Sequence, residues 1–266
     1  MESVTGVFDT RTAAEHAYDQ LKHFGIPVDK LTVLTPGSQD HIDNEIQTVP
    51  IDSSEQPGMG TAIGALLGGG VGITGGSVLM ALIPGVGPIT ALGLLGAAVL
   101  GAAGATVGAA AGGKIEKSSY QGLPEDEIFL YEDALRKGRS VVIALADDEP
   151  AASSVREVLK QAGAESIDAA REQWWTGLRS SEESRYAKSG RSFRDDEEFF
   201  RLGFQAAMHA RTRCMEFDQV SGEMNAALED VQQQYPGKPV EEPFTRGYRR
   251  GREHYQQLCD ESNKAA

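Results

Sequence analysis

A long uncharged segment, residues 57–113, constrains the fold of this 266-residue chain more than any other feature. It consists mainly of Gly, Ala and aliphatic residues in two arms, residues 60–83 and 89–112. The arms flank a predicted turn at Pro84, Gly85, Gly87 and Pro88. Because proline blocks helix continuation and glycine permits a sharp reversal, the segment predicts a helical hairpin. At 1.5 Å per residue each arm would be about 36 Å long, enough to cross a hydrocarbon core of about 30 Å.

Glycines recur at helix-packing positions in both arms. The first arm places them four residues apart, at Gly60, Gly64, Gly68, Gly72 and Gly76. The second arm places them at Gly96, Gly101, Gly104, Gly108 and Gly112. Small residues on one helix face let two helices approach closely, which is the pattern of a glycine zipper. Since each glycine costs about 1 kcal/mol of helix stability relative to alanine, the arms need a partner that rewards close packing.

Three interpretations of this segment stay open at the level of sequence. In the leading one, the hairpin inserts in a membrane, where backbone hydrogen bonds must close within each helix, and packs against its copies. In the second, the hairpins are buried in the shared core of a soluble homo-oligomer. In the third, the Gly-rich segment is disordered or strand-like.

The charge balance limits the partners. A formal net charge of -14 and a pI of about 4.8 argue against capture by nucleic acid or by anionic lipid headgroups, so any membrane contact would be apolar. The sequence does not begin with a basic segment followed by an apolar core, and its two cysteines fit a reducing compartment. We expect a protein at the cytoplasmic face of the inner membrane, with both termini cytoplasmic; the cytoplasm is the alternative.

Residues on both sides of the uncharged segment predict two β-α-β units, at residues 1–36 and 114–170, with a polar linker at residues 37–56. An internal repeat at one constant offset matches Asp9, Ala13, Ala14, Leu21 and Gly25 with Asp147, Ala151, Ala152, Leu159 and Gly163. Two such units form a ferredoxin-like sheet domain, so we expect an α+β fold that the hairpin interrupts.

Several short segments share a pattern with one known family. They are Thr5-Gly6-Val7-Phe8-Asp9, Gly25-Ile26-Pro27, Leu31-Thr32-Val33-Leu34, Ile83-Pro84-Gly85-Val86-Gly87-Pro88 and Leu123-Pro124-Glu125-Asp126-Glu127. Over about residues 1–170 the chain resembles the bacterial heat-induced general stress protein domain of the YflT type. The resemblance implies an association with stress and supplies no catalytic residues.

The rest of the chain predicts a hinge and a helical module. The hinge, residues 171–194, carries Trp174 and Trp175, which we expect either to dock the tail on the sheet or to lie at a membrane interface. The module, residues 195–266, has its own repeat at constant offset, which aligns Phe200, Gly203, Phe204 and Ala207 with Phe244, Gly247, Tyr248 and Gly251. An aromatic and a small residue thus share one helix face twice, which predicts close helix packing for self-association, docking or a simple core.

Patterns that would carry chemistry are weak. The residue types that zinc prefers occur at His209, Cys214, His254 and Cys259, but a spacing of five residues along a helix turns the second side chain about 140° away from the first. The glycine-rich stretch has no P-loop lysine, and there is no nucleophile elbow or HExxH motif. We therefore expect no enzyme activity and no cofactor.

These observations lead to one main hypothesis and two alternatives. The main hypothesis is a non-enzymatic, stress-associated protein that self-associates through its glycine-zipper hairpin, with other copies and membrane lipid as partners. The alternatives are a soluble homo-oligomer and a small-molecule sensor in the ferredoxin-like domain.

Overall fold

The structure, a computed structural model, describes residues 2–37, 78–83, 86–92, 126–209 and 221–265. It has an α+β fold. The chain divides into two compact units. The first, or sheet unit, consists of Met1–Leu123 and Glu132–Ser166, and the second, or helical unit, of Pro124–Tyr131 and Ile167–Ala266.

The first part of the chain contains all the described strands with helices between some of them, and helices follow alone. The strands are β1 (Glu2–Phe8), β2 (Leu31–Pro36), β3 (Val78–Ile83), β4 (Gly87–Leu92), β5 (Ser140–Ala146) and β6 (Glu165–Ser166). The helices are α1 (Arg11–Phe24), α2 (Ile128–Arg136), α3 (Glu149–Gln161), α4 (Ile167–Tyr186), α5 (Phe193–Met208), α6 (Ser221–Gln234) and α7 (Glu241–Ala265).

The sheet is antiparallel throughout, with the strand order β3-β4-β2-β5-β1-β6. Its longest pairing is that of β1 with β5, which runs from Glu2 opposite Ala146 to Phe8 opposite Ser140. Strands β1, β2 and β5 are buried along most of their length, as expected of Val-, Ile- and Leu-rich segments at the middle of a sheet.

Helices α1 and α3 pack on the same face of this sheet. Their buried residues join the alternate residues of the strands in one core, which includes Val4, Phe8, Leu21, Leu31, Val142, Ala144, Val155 and Leu159. The predicted repeat has a local structural basis here. The side chain of Thr10 accepts a hydrogen bond from the amide of Ala13, and Asp148, at the equivalent place, accepts one from Ala151. Both helices therefore begin at a capping side chain.

The helical arms predicted for residues 60–83 and 89–112 are wrong wherever the structure describes them. Residues 78–83 and 87–92 are strands β3 and β4, and the chain reverses direction between Ile83 and Gly87. Strand β4 pairs with β2, so its backbone groups find partners in the sheet, and the six residues of β3 contain no glycine. All ten predicted zipper glycines lie outside the described residues, as do Pro84 and Gly85; Gly87 and Pro88 begin β4.

The predicted hinge at residues 171–194 is also wrong. Helix α4 continues to Tyr186, and α5 begins at Phe193. Although α4 is polar in overall composition, it has an apolar face, because Trp174, Leu178 and Tyr186 recur at multiples of four residues. Trp174 and Trp175 are buried in the aromatic core of the helical unit.

Candidate functional site: a helix pair and a cationic groove

Helices α5 and α7 of the helical unit pack so closely that their backbones are in contact. A Cβ added to Gly203 on α5 would overlap the carbonyl oxygen of Phe244 and lie 2.8 Å from its carbonyl carbon. A Cβ added to Gly247 on α7 would meet the carbonyl group of Phe200 in the same way, also 2.8 Å from the carbon. Glycine is therefore required at both positions by a close approach between two helices.

The contact is reciprocal because the two helices carry the same motif. Each glycine lies against the phenylalanine that precedes the other glycine by three residues. The motif continues one turn on, where a Cβ added to Gly251 would lie 2.5 Å from the carbonyl oxygen of Phe204 and 2.9 Å from the Cβ of Ala207. Tyr248 is fully buried beside this crossing. The structure thus brings together all eight residues that the tail repeat singles out.

Aromatic rings surround the pair and fix its position against α4. The ring of Phe204 lies edge-on to Trp174 and Trp175, with centroid distances of 5.7 and 5.9 Å. Phe200 lies 5.2 Å from Tyr186 in the same edge-to-face geometry. Such pairs are each worth about 0.5–1.5 kcal/mol beyond their buried area, so they hold the helix pair firmly against α4.

A charged network joins the end of α4 to the beginnings of α5 and α7. The guanidinium of Arg191 donates two hydrogen bonds to Asp196, at 2.6 and 3.0 Å, and a third to Glu242 at 2.8 Å. The hydroxyl of Tyr186 donates to Asp196 at 2.7 Å. The hydrogen bonds from Arg191 lower the pKa of Asp196, whereas burial, aided by the bond to this carboxylate, raises the pKa of Tyr186 to about 12.

A second, buried ion pair links α4 directly to α7. The Nε of Arg250 donates to Glu182 at 2.8 Å, and only 1% of the Glu182 side chain is exposed. Arg250 also contacts Glu253 at 3.3 Å. Among the described residues, the other carboxylate oxygen of Glu182, Oε1, has no hydrogen-bond partner. The guanidinium of Arg250 is therefore already paired with carboxylates of the protein itself.

Above this pair is a cavity of about 420 Å³, which we call the cationic groove. It is lined by Glu182, Arg185, Tyr186, Lys188, Phe200, Arg246, Arg249, Arg250 and Glu253. The two carboxylates that line the groove, Glu182 and Glu253, both contact Arg250. Arg246 pairs with Glu242 at 2.7 Å. Three exposed cations, Arg185, Lys188 and Arg249, have no carboxylate partner among the described residues. A second cavity, of about 700 Å³, shares Arg246 and Arg249 with the groove.

Sequence reasoning missed the groove, since its cations come from two helices that are far apart in the chain. One local signal was available. Arg246, Arg249, Arg250 and Arg252 concentrate four positive charges within two turns of α7 in a strongly acidic protein.

The three weak metal candidates that the structure describes lie beside residues of the aromatic core. His209 stacks on Phe129 with a centroid distance of 6.5 Å, and burial lowers the pKa of its imidazole. His254 lies beside Phe204 at 5.5 Å, Cys259 packs against the same core, and Cys214 lies outside the described residues. Within the described ranges, no three His, Cys, Asp or Glu side chains are grouped so as to hold a metal ion.

The helical unit also contains a partly buried carboxylate, that of Glu127. Burial raises the pKa of Glu127, although the hydroxyl of Tyr131 donates a hydrogen bond to its carboxylate at 2.7 Å. Arg171 lies 3.5 Å from the neighbouring Asp126. This cluster is a local feature of the start of α2 and contributes no residue to the groove.

Comparisons of the chain with family models, with curated proteins and with solved structures find no match. Among the helices that the structure describes, none is long and apolar enough to cross a membrane.

Proposed function

We propose that the chain is a non-enzymatic protein that self-associates, and that its association element is the uncharged segment 57–113. The observation that carries this proposal is the position of β3. It is the outermost strand on its side of the sheet and, among the described strands, pairs only with β4. Its sequence, Val-Leu-Met-Ala-Leu-Ile, contains neither a charge nor a proline.

An edge of this composition suits pairing with a second copy of the chain. An unpaired strand edge presents a row of backbone donors and acceptors, and soluble proteins commonly block such edges with lysine, proline or a bulge. Strand β3 carries neither of the two blocking residues. The mechanism proposed for this part of the segment is therefore strand addition between copies, in place of the helix packing expected from the sequence.

We also propose that the sheet unit has a ferredoxin-like fold that hairpin β3–β4 extends. Without that hairpin the strand order is β2-β5-β1-β6, and α1 and α3 share one face. Order and connectivity both agree with a duplicated β-α-β unit. The association with stress belongs to the same proposal and is supported by the family resemblance alone.

Sizing of the untagged full-length protein tests self-association. The soluble fraction and the detergent extract of carbonate-washed membranes from the native host are each analysed by light scattering. Self-association predicts a particle well above the monomer mass of 28.4 kDa in one of these fractions. Monomers in both fractions would contradict it. A monomer found only in the detergent extract would identify lipid, rather than a second copy, as the partner of the segment.

Substitutions in β3 test the mechanism. Met80→Lys and Ala81→Lys change two successive positions of the edge strand, and because successive positions of any strand alternate between its faces, the variant that better tolerates the charge is the informative one. We expect that variant to remain folded by circular dichroism and to lose association. The control is Val28→Lys, which introduces the same charge at a residue of the sheet unit that is 45% exposed. Equal association of wild type, control and both β3 variants would show that β3 is not the contact.

A further inference from the structure

We propose that the cationic groove binds a phosphate monoester, either as a free metabolite or as a lipid headgroup. This inference is independent of the self-association proposed above. It rests on the three cations of the groove, Arg185, Lys188 and Arg249, that lack a carboxylate partner among the described residues.

Outside the groove, four described arginines of the helical unit have a carboxylate partner, whereas Arg194 and Lys238 have none among the described residues. Arg171, Arg179, Arg191 and Arg201 each contact a carboxylate at 3.5 Å or less. The chain as a whole carries 39 acidic residues against 25 Lys and Arg, so carboxylates are abundant. Three cations gathered in one cavity repel each other unless an anion lies between them. The groove, with five cations and two carboxylates in its lining, therefore attracts anions.

The arrangement of the cations favours a compact anion with more than one negative charge. Arg185 lies in the last turn of α4 and Lys188 in the short 3-10 helix Ala187–Ser189 that follows it. Arg246 and Arg249 are three residues apart on α7 and so share one face of that helix. Guanidinium groups bind phosphate oxygens through two parallel hydrogen bonds, and lysine adds a point charge. A phosphate monoester carries about -1.5 to -2 charges and three acceptor oxygens at neutral pH, which matches three free donors better than a single carboxylate does.

The floor of the groove is rigid and leaves the free cations available. Arg250 is held by Glu182 and Glu253, and Tyr186 is fixed through Asp196. A bound ligand therefore need not break these contacts in order to reach Arg185 and Arg249. A volume of about 420 Å³ is within the range of small-molecule sites.

Calorimetric titration of the full-length protein with glycerol 3-phosphate tests the proposal. We expect saturable binding by the wild type that weakens as salt is added. Arg185→Gln and Arg249→Gln should each weaken it about tenfold, since each removes a charge-assisted contact. The matched control is Arg194→Gln, because Arg194 is also exposed, lacks a carboxylate partner among the described residues and lies on α5 outside the groove.

A second arm separates the two sources of phosphate. Flotation is measured with phosphatidylcholine vesicles that contain or lack phosphatidic acid. Arg-dependent binding to glycerol 3-phosphate alone identifies a free ester, and Arg-dependent flotation only with phosphatidic acid identifies a lipid headgroup. The proposal is overturned if the wild type binds neither probe, or if Arg194→Gln weakens binding as much as the two groove substitutions do. Neither result bears on particle size, which tests self-association separately.

Discussion

The α-carbon of Gly203 lies so close to the carbonyl group of Phe244 that no side chain fits between them, and Gly247 stands in the same relationship to Phe200. Since the obstacle is backbone of the facing helix, a methyl group at either position forces α5 and α7 apart. We expect Gly203→Ala and Gly247→Ala each to lower the free energy of unfolding by at least about 1–3 kcal/mol, the usual cost of overpacking. Urea unfolding followed by circular dichroism measures the change.

Gly177 provides the control for these substitutions. It also lies inside a helix, α4, but an added Cβ there meets nothing within 4 Å. Gly177→Ala should raise the free energy of unfolding by about 1 kcal/mol through helix propensity alone. Destabilisation of similar size at all three glycines would contradict the special role of the crossing.

The buried pair of Glu182 and Arg250 should be far more costly to break than an exposed pair on the same helix. Arg250→Met leaves the Glu182 carboxylate, 1% exposed, without its cation, which costs about 3–5 kcal/mol of unfolding free energy in comparable cases. Arg246→Met breaks the pair with Glu242, in which both side chains are more than 40% exposed, and should cost about 0–1 kcal/mol. Equal urea midpoints for the two variants would show that the buried pair does not stabilise the unit.

The hydroxyl of Tyr186 makes stability depend on alkaline pH. Its pKa in the folded protein, about 12, lies above the usual value of 10, so the protonated phenol is favoured by folding. The resulting stabilisation is complete below pH 10 and is lost as the pH rises through 12. Tyr186→Phe removes the hydroxyl and with it this pH-dependent stabilisation. We expect the difference in unfolding midpoint between wild type and Tyr186→Phe to shrink as the pH rises from 10 to about 12. A difference that stays constant over this pH range would be inconsistent with the titration of Tyr186.

Local signals in the sequence predicted much of the sheet unit but failed for its residues 78–92 and for α4 of the helical unit. Strand β1, helix α1 and their repeat near residue 147 were recognisable because capping residues, apolar spacing and a terminal glycine all agreed. For residues 78–92 a four-residue glycine spacing was extended into a stretch that has no such glycines, and pairing with β2 decided the structure. In α4 the many charged residues concealed the buried stripe that contains Trp174.

The helical unit shows a different limit of sequence reasoning. The repeat around Gly203 and Gly247 indicated close packing because backbone contact demands a particular residue type. The groove requires only positively charged residues, and many other surface positions of the chain also have them. Its cations become a group only when α4 and α7 are brought together, so no spacing along the chain could reveal it.

The two capping side chains of the sheet unit should contribute equally. Thr10 and Asp148 each accept a hydrogen bond from the amide three residues ahead, at 3.2 and 2.9 Å. Thr10→Ala and Asp148→Ala should each reduce the free energy of unfolding by about 1 kcal/mol. Thr12→Ala is the control, because Thr12 is exposed within α1, where alanine is the better helix former. A loss at Thr12 as large as that at Thr10 would rule out capping as the cause.

The amides of β3 should become protected from hydrogen exchange as the protein concentration rises. Strand β4 pairs on both sides, with β2 and β3, whereas β3 pairs on one side among the described strands. In dilute solution, peptides covering residues 87–92 should therefore exchange more slowly than those covering residues 78–83. If copies associate by strand addition, the exposed edge of β3 gains partners and its exchange slows with concentration, while exchange in β1 stays constant. Mass spectrometry of exchanged peptides at several concentrations measures both. Slower exchange elsewhere, with β3 unchanged, would mean that copies associate through a different surface.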